Sequence, residues 1–203
     1  MKATFNSPLS PKEIRAIVDH LAGGEVGLFP TETVYGLGCR VDNQTGTATI
    51  YRLKGRPLAK TLPLLIGGWD QFNRFCEDIK AAYRKRLEKL WPGPLTVVVK
   101  ASPQTRSFSY HCLNSGTVAM RMPNHPNLRF IIERVGVPLA ATSANPSGGK
   151  EPLSLEMVSP SIRQEVDWAW SEIIPQDLGS IPSTVVDLTG TKPRILREGI
   201  VTF

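Results

Sequence analysis

The chain switches repeatedly between two periods of hydrophobicity, and that alternation restricts it to an α/β fold. Ile14, Ile17, Val18 and Leu21 recur at i, i+3, i+4 and i+7, which is one apolar face of a helix. Ser10-Pro11-Lys12-Glu13 precedes them and reads as a helix start, with Ser10 as N-cap, Pro11 as first helical residue and Glu13 closing a capping box. Gly23-Gly24 ends that helix. Residues 26–29 are then short, apolar and strand-like, and Pro30 stops them because proline cannot donate into a central ladder.

The same alternation continues downstream. Helices are predicted over 45–53, 78–90, Pro126–Val135 and 155–166, the last interrupted by Pro160. Strands are predicted over 62–66, 95–99, 118–122, 138–142, 184–188 and Arg194–Arg197. The pattern predicts a single α/β domain with a twisted mixed β-sheet flanked by helices. Two long loops, 101–116 and 147–154, are expected to have a use.

Composition sets the partner class. The 203 residues carry a formal charge of +6, with a pI near 9.4, which favours an anionic partner such as nucleic acid, a nucleotide or a phosphorylated substrate. Arg84-Lys85-Arg86 with Lys89 is the densest basic cluster and reads as a solvated helix face. No apolar run approaches membrane-spanning length, and the N-terminus lacks the apolar stretch of a signal peptide, so a soluble cytoplasmic protein is expected. Cys39, Cys76 and Cys112 are three widely spaced thiols, neither a disulfide framework nor a zinc half-site. His20, His111 and His125 are scattered, and no resident metal is expected. Gly148-Gly149-Lys150 lacks the rest of a P-loop, and no Gly-x-Gly-x-x-Gly fingerprint occurs.

Polar clusters stand where elements end. Thr31-Glu32-Thr33 follows the strand at 26–29, and Lys54-Gly55-Arg56-Pro57 with Lys60 follows a helix. Arg121, Ser143-Ala144-Asn145 and Arg197 lie at the ends of later strands. Ligands of open α/β sheets gather at strand ends. Lysine supplies a point charge, arginine a planar fork, and hydroxyls and a carboxamide directional bonds. Singly, each cluster reads as a turn, a cap or a dipole-complementing cation. Together they predict one shared site for a phosphorylated or carboxylated small molecule.

Seven ordered blocks then give a resemblance. Phe29-Pro30-Thr31-Glu32-Thr33-Val34-Tyr35-Gly36-Leu37-Gly38, Lys54-Gly55-Arg56-Pro57, Trp91-Pro92-Gly93-Pro94-Leu95-Thr96 and Val118-Ala119-Met120-Arg121-Met122-Pro123 with His125-Pro126 come first. Thr142-Ser143-Ala144-Asn145, Ser183-Thr184-Val185-Val186-Asp187-Leu188 and Leu196-Arg197-Glu198-Gly199 follow. The chain resembles the YrdC-type threonylcarbamoyl-AMP synthase family over residues 14–199. The resemblance implies a YrdC-like domain over 10–200 with a large concave, positively charged cavity, and no additional C-terminal domain.

It also implies a reaction: ATP, L-threonine and bicarbonate (or CO2) give L-threonylcarbamoyl-AMP and pyrophosphate. A downstream transferase would then use the product to make the t6A37 modification of tRNA. Carried over by resemblance, Lys54 and Arg56 are the catalytic cations. Lys54, Arg56, Lys60, Thr117, Ser143, Asn145 and Arg197 contact ATP, and Thr33, Arg121 and Ser183 contact threonine. Mg2+ would accompany ATP. The alternatives are a non-catalytic module binding double-stranded RNA or tRNA, and a paralogous enzyme activating another carbamate. Two departures stand out. Leu65 lies near the place where some relatives carry a threonine-contacting histidine, and residues 173–180 lack an Asp-Gly-Gly ahead of Ser183.

Overall fold

The computed structural model describes residues 2–174 and 182–203, Arg106 by its backbone only. The departure noted at residues 173–180 therefore lies mostly outside the described residues. Ten strands form one sheet: β1 (Ala3–Asn6), β2 (Gly27–Phe29), β3 (Gly36–Arg40), β4 (Leu64–Leu65), β5 (Leu95–Lys100), β6 (Thr117–Arg121), β7 (Leu139–Ser143), β8 (Trp168–Ser171), β9 (Thr184–Asp187) and β10 (Arg194–Arg197). Their order is β1-β8-β2-β3-β7-β4-β6-β5-β9-β10. Parallel pairs (β1 with β8, β2 with β8, β4 with β6, β5 with β9) stand beside antiparallel ones, so the sheet is mixed as expected.

The helices are α1 (Pro11–Ala22), α2 (Gln44–Lys54), α3 (Trp69–Phe75), α4 (Ala81–Leu90), α5 (Pro126–Val135) and α6 (Pro160–Arg163). The predicted capping box on α1 is present: Glu13 N–H donates to the Ser10 hydroxyl at 3.3 Å and Ser10 N–H to the Glu13 carboxylate at 2.8 Å. Helix α2 ends at Gly55, which takes a left-handed φ of 57° that a side chain would disfavour. The long loop after β5 is ordered by two 3-10 turns, Pro103–Ser107 and Tyr110–Cys112.

Two apolar clusters lie on opposite faces of the sheet. Leu95, Val97, Val99, Val118, Met120, Ala140 and Val186 point into the larger one, with Ile50, Phe72 and Leu87 from α2, α3 and α4. Phe29, Leu139, Trp168 and Trp170 point into the smaller one, where Ile17 and Leu21 of α1 meet Leu128, Ile131 and Ile132 of α5. Beyond those two helices the second face is open.

The structure adds elements that the period pattern did not show. Strand β3 is among them, with Gly36 and Gly38 inside it. Both belong to the strand and make room for Phe29: a Cβ on Gly36 would lie 2.5 Å from the Phe29 ring, and one on Gly38 3.0 Å from it. Strand β8 lies just past a segment predicted helical over 155–166, of which only α6 forms. Tryptophan at Trp168 and Trp170 pairs β8 with β1 and β2, a long-range match invisible in a local window. Helix α3 and strand β1 are also new.

Gly27 sits beneath Trp168, and a Cβ there would fall 2.0 Å from the indole. Gly27→Ala should therefore destabilise the fold by about 1–3 kcal/mol through overpacking. Urea denaturation should show a lower midpoint with an unchanged slope.

Candidate functional site

The open part of the second face is the floor of a cavity of about 680 Å3. Its floor is written in alternate residues: Thr96 and Val98 of β5, Ala119 and Arg121 of β6, Ala141 and Ser143 of β7, Ser183 and Val185 at β9. Most of their sequence neighbours, Leu95, Val97, Val118, Met120, Ala140 and Val186, face the larger core, as a period of two requires. Registers agree, since Val98 pairs with Ala119, Thr96 with Val185, and Leu65 with Arg121, all on the cavity side. Small and polar residues on this face leave the room that leucines fill on the other.

Lys54, Arg56, Lys60, Arg121 and Arg197 line the cavity, with Glu151 as the single carboxylate of the lining among the described residues. Five cations against one carboxylate leave a formal +4 on the lining. Lys54 is the last residue of α2, only 4% exposed. Its ammonium donates to the backbone carbonyls of Ser143 and Asn145. Burial, and secondarily Arg56, lowers its pKa to about 8, so it remains largely charged at neutral pH. Arg56 donates to the carbonyls of Lys60 at 2.9 Å and Thr61 at 2.7 Å, which folds the 56–61 loop at the rim. Tyr51 anchors the same loop by donating to the Lys60 carbonyl at 2.6 Å. Asn145 Nδ2 donates to the carbonyls of Pro146 at 3.0 Å and Gly149 at 2.7 Å, so it also stitches the 146–149 turn.

Thr31-Glu32-Thr33 forms one wall. The Thr31 hydroxyl donates to the Val34 carbonyl at 2.7 Å and accepts from Thr33 N–H and Val34 N–H, each at 3.2 Å. Arg121 Nη2 donates to the Thr33 hydroxyl at 2.9 Å. With its own proton given to Val34, Thr31 must accept from Thr33 across their 3.1 Å contact. Thr33 is thereby fixed, with Arg121 beside it in the cavity.

Arg197 reaches the cavity by a change of register. Arg194 pairs with Asp187 and Ile195 with Val186, but a bulge then sets Arg197, not Leu196, opposite Val185. The shift turns Arg197 onto the cavity face. There it donates to the Ser183 carbonyl from Nε at 3.1 Å and Nη2 at 2.8 Å, and to the Ser183 hydroxyl at 3.1 Å. The Thr96 hydroxyl lies 2.9 Å from that of Ser183.

Nine of the ten sequence-predicted site residues thus converge: Lys54, Arg56, Lys60, Ser143, Asn145, Arg197, Thr33, Arg121 and Ser183 all line one cavity. Thr117 does not. It opens β6, and its hydroxyl donates to the Asn114 carbonyl at 2.7 Å, closing the turn before the strand. Leu65 does line the cavity, as an apolar wall beside Arg121. Sequence reading passed over Thr96, Val98, Ala119 and Ala141, whose only signal is alternation of small with large residues. Cys112 is buried, and desolvation pushes its thiol up to about 12, which argues against a nucleophile. The Arg84 guanidinium lies 3.9 Å from the centre of the Trp69 ring, so part of the basic helix face packs rather than only solvating.

Comparison with known proteins agrees with this geometry. A threonylcarbamoyl-AMP synthase of Pseudoalteromonas translucida is 34% identical over 181 residues, covering 88% of this chain and 95% of that protein. A threonylcarbamoyl-AMP synthase of Bacillus subtilis is 34% identical over 187 residues, and the match spans 90% of this chain and 52% of that longer protein. Among solved structures, P. abyssi Sua5 complexed with L-threonine superposes with a TM-score of 0.87 at 31% identity, covering 98% of this chain and 57% of that one. The family model Sua5_yciO_yrdC, described as "Telomere recombination", matches residues 19–199. The chain belongs to the Sua5/YciO/YrdC family.

Proposed function

We propose that the chain is an L-threonylcarbamoyladenylate synthase, a nucleotidyltransferase that makes threonylcarbamoyl-AMP and pyrophosphate from ATP, L-threonine and bicarbonate. The observation that carries this reading is the convergence of Thr33 and Arg121 with Lys54, Arg56 and Arg197 in one cavity. The Thr33–Arg121 pair suits a carboxylate and a hydroxyl, and the remaining cations suit a polyphosphate. The names of the relatives, and the L-threonine in the P. abyssi Sua5 structure, support the same reading.

In the proposed reaction the neutral threonine amine adds to CO2 and loses a proton, which gives a carbamate. A carbamate oxygen attacks the α-phosphorus of ATP in line, and the bond to the pyrophosphate oxygen breaks. Arg121 and Thr33 would hold the threonine carboxylate and hydroxyl, with Ser183 beside them. Lys54, Arg56, Lys60 and Arg197 would spread positive charge over the phosphates, and Ser143 and Asn145 would border the nucleotide. Positioning and electrostatics supply the catalysis, and no covalent enzyme intermediate is needed. Mg2+ would enter with ATP as part of the substrate. The lining supplies one carboxylate, Glu151, and among the described residues no group of three metal-type ligands exists, so the phosphates would provide most of its coordination. Further elements of the proposal are residues 10–200 as the catalytic domain, cytoplasmic action, and delivery of the product to a downstream tRNA transferase. Among the described residues no helix is long and apolar enough to cross a membrane.

Pyrophosphate release from MgATP should require both threonine and bicarbonate and should prefer threonine to serine. Release with neither, or none at all while RNA is still bound, would overturn the reading. Lys54→Ala should lower kcat/KM by ~10²–10³-fold, as loss of a preorganised charge does. Arg121→Lys should raise the KM for threonine ~10-fold or more, because an ammonium cannot reproduce the fork. The Lys54 pKa near 8 gives a further expectation. Its charge is present below that pH and lost above it. ATP affinity measured calorimetrically without threonine should therefore weaken as pH rises from about 7 to about 9.5, since the ATP phosphates are already ionised there.

A further inference from the structure

Glu32 stands behind the cavity wall and has no role in the chemistry above. Its Oε1 lies 2.8 Å from Arg121 Nη2, the same nitrogen that donates to the Thr33 hydroxyl. Both side chains are mostly buried, Arg121 at 9% exposure and Glu32 at 14%. The approach is an ion pair with an angle too poor for a hydrogen bond: both Glu32 oxygens and Arg121 Nε are buried without a hydrogen-bond partner. Arg121 lines the cavity and Glu32 does not. The protein therefore holds the guanidinium at Nη2 and buries Nε, which leaves Nη1 to meet a ligand.

We propose that Glu32 is the positioning residue of the amino-acid subsite: it holds Arg121 at Nη2 and offsets its charge, so that the remaining donor binds a monovalent carboxylate in preference to phosphate. The proposal rests on the reading that Arg121 holds the threonine carboxylate.

The physical argument has two parts. Orientation comes first. Arginine has a long flexible stem, and a site open to the cavity on one side would let the fork swing toward a bound polyphosphate. Glu32 and Thr33 are neighbours on a turn pinned by Thr31, so they fix the fork from a rigid base. At its own backbone Arg121 is fixed as well, since Ile66 N–H donates to its carbonyl at 2.9 Å. Charge comes second. A lining with a formal +4 attracts phosphate everywhere. A carboxylate directly behind one of the five cations weakens the field at that point alone, and in a partly desolvated wall the effect is strong. The threonine carboxylate then has one place in the cavity where polyphosphate does not outcompete it.

The test compares wild type with Glu32→Gln, which keeps the shape and removes the charge, and Glu32→Asp, which keeps the charge and shortens the reach. Calorimetry would measure L-threonine and ATP binding separately. Turnover assays would give KM for each substrate and the inhibition by inorganic phosphate. Glu32→Gln should weaken threonine binding tenfold or more, leave ATP affinity within about twofold, and make phosphate a competitor of threonine. Glu32→Asp should restore part of the loss. Threonine binding unchanged in Glu32→Gln would overturn the proposal and leave the synthase reading intact. A parallel fall in threonine and ATP affinity, or failure of both variants to fold, would assign Glu32 to general stability and overturn it too. Absence of threonine binding in the wild type would remove the synthase reading itself and the proposal with it.

Discussion

Everything at this site depends on the two faces of a single sheet being put to opposite uses. A strand must show alternate residues to alternate sides. On one side Leu95, Val97, Met120 and Val186 close against helices with no space left. On the other, Thr96, Ala119, Ala141 and Ser183 are too small or too polar to close anything. Burial of the first face supplies the rigidity that lets the second remain open. Without it, cations such as Lys54 and Arg121 could not be kept at low exposure around one cavity, because desolvation opposes their burial.

The backbone meets part of that cost. The Lys54 ammonium is held by main-chain oxygens of Ser143 and Asn145, and Arg197 by the carbonyl and hydroxyl of Ser183. Carbonyl oxygens stabilise a cation without cancelling its formal charge. The described lining keeps its formal positive charge while Lys54 and Arg197 are each solvated by protein oxygens, which holds both cations in place. Arg121 is the exception, paired with the carboxylate of Glu32.

Much of this was legible in the chain and some was not, for definite reasons. Helices α1 and α5 announce themselves because Ser10, Glu13 and Pro126 act locally. The cations and hydroxyls of the site stood out because several polar clusters recur at element ends, although each alone has ordinary uses as a cap or turn. Strand β3 was hidden because Gly36 and Gly38 look like breakers when their partner, the Phe29 ring, is not in view. The cavity floor was hidden because Leu95 to Val99 reads as one apolar run, with no mark that Val98 faces a ligand space and Val97 a core. Thr117 was misplaced because a position near a strand start does not tell which way its hydroxyl turns. Glu32 was quoted within its motif, yet its link to Arg121 spans the sheet and no spacing rule reports it.

The bulge in β10 changes which mutations this site can tolerate. Arg197 faces the cavity because the bulge takes up Leu196, half exposed to solvent, and so keeps the arginine opposite Val185. The identity of Leu196 therefore matters little, and so does its presence: without it the arginine would follow Ile195 directly and pair with Val185 in a regular ladder, on the same face. Substitutions there should be nearly silent in sequence drift, and loss of that one codon would flatten the bulge while leaving the guanidinium on the cavity side of the sheet. At this position the genetic constraint falls on the arginine rather than on the residue spacing before it.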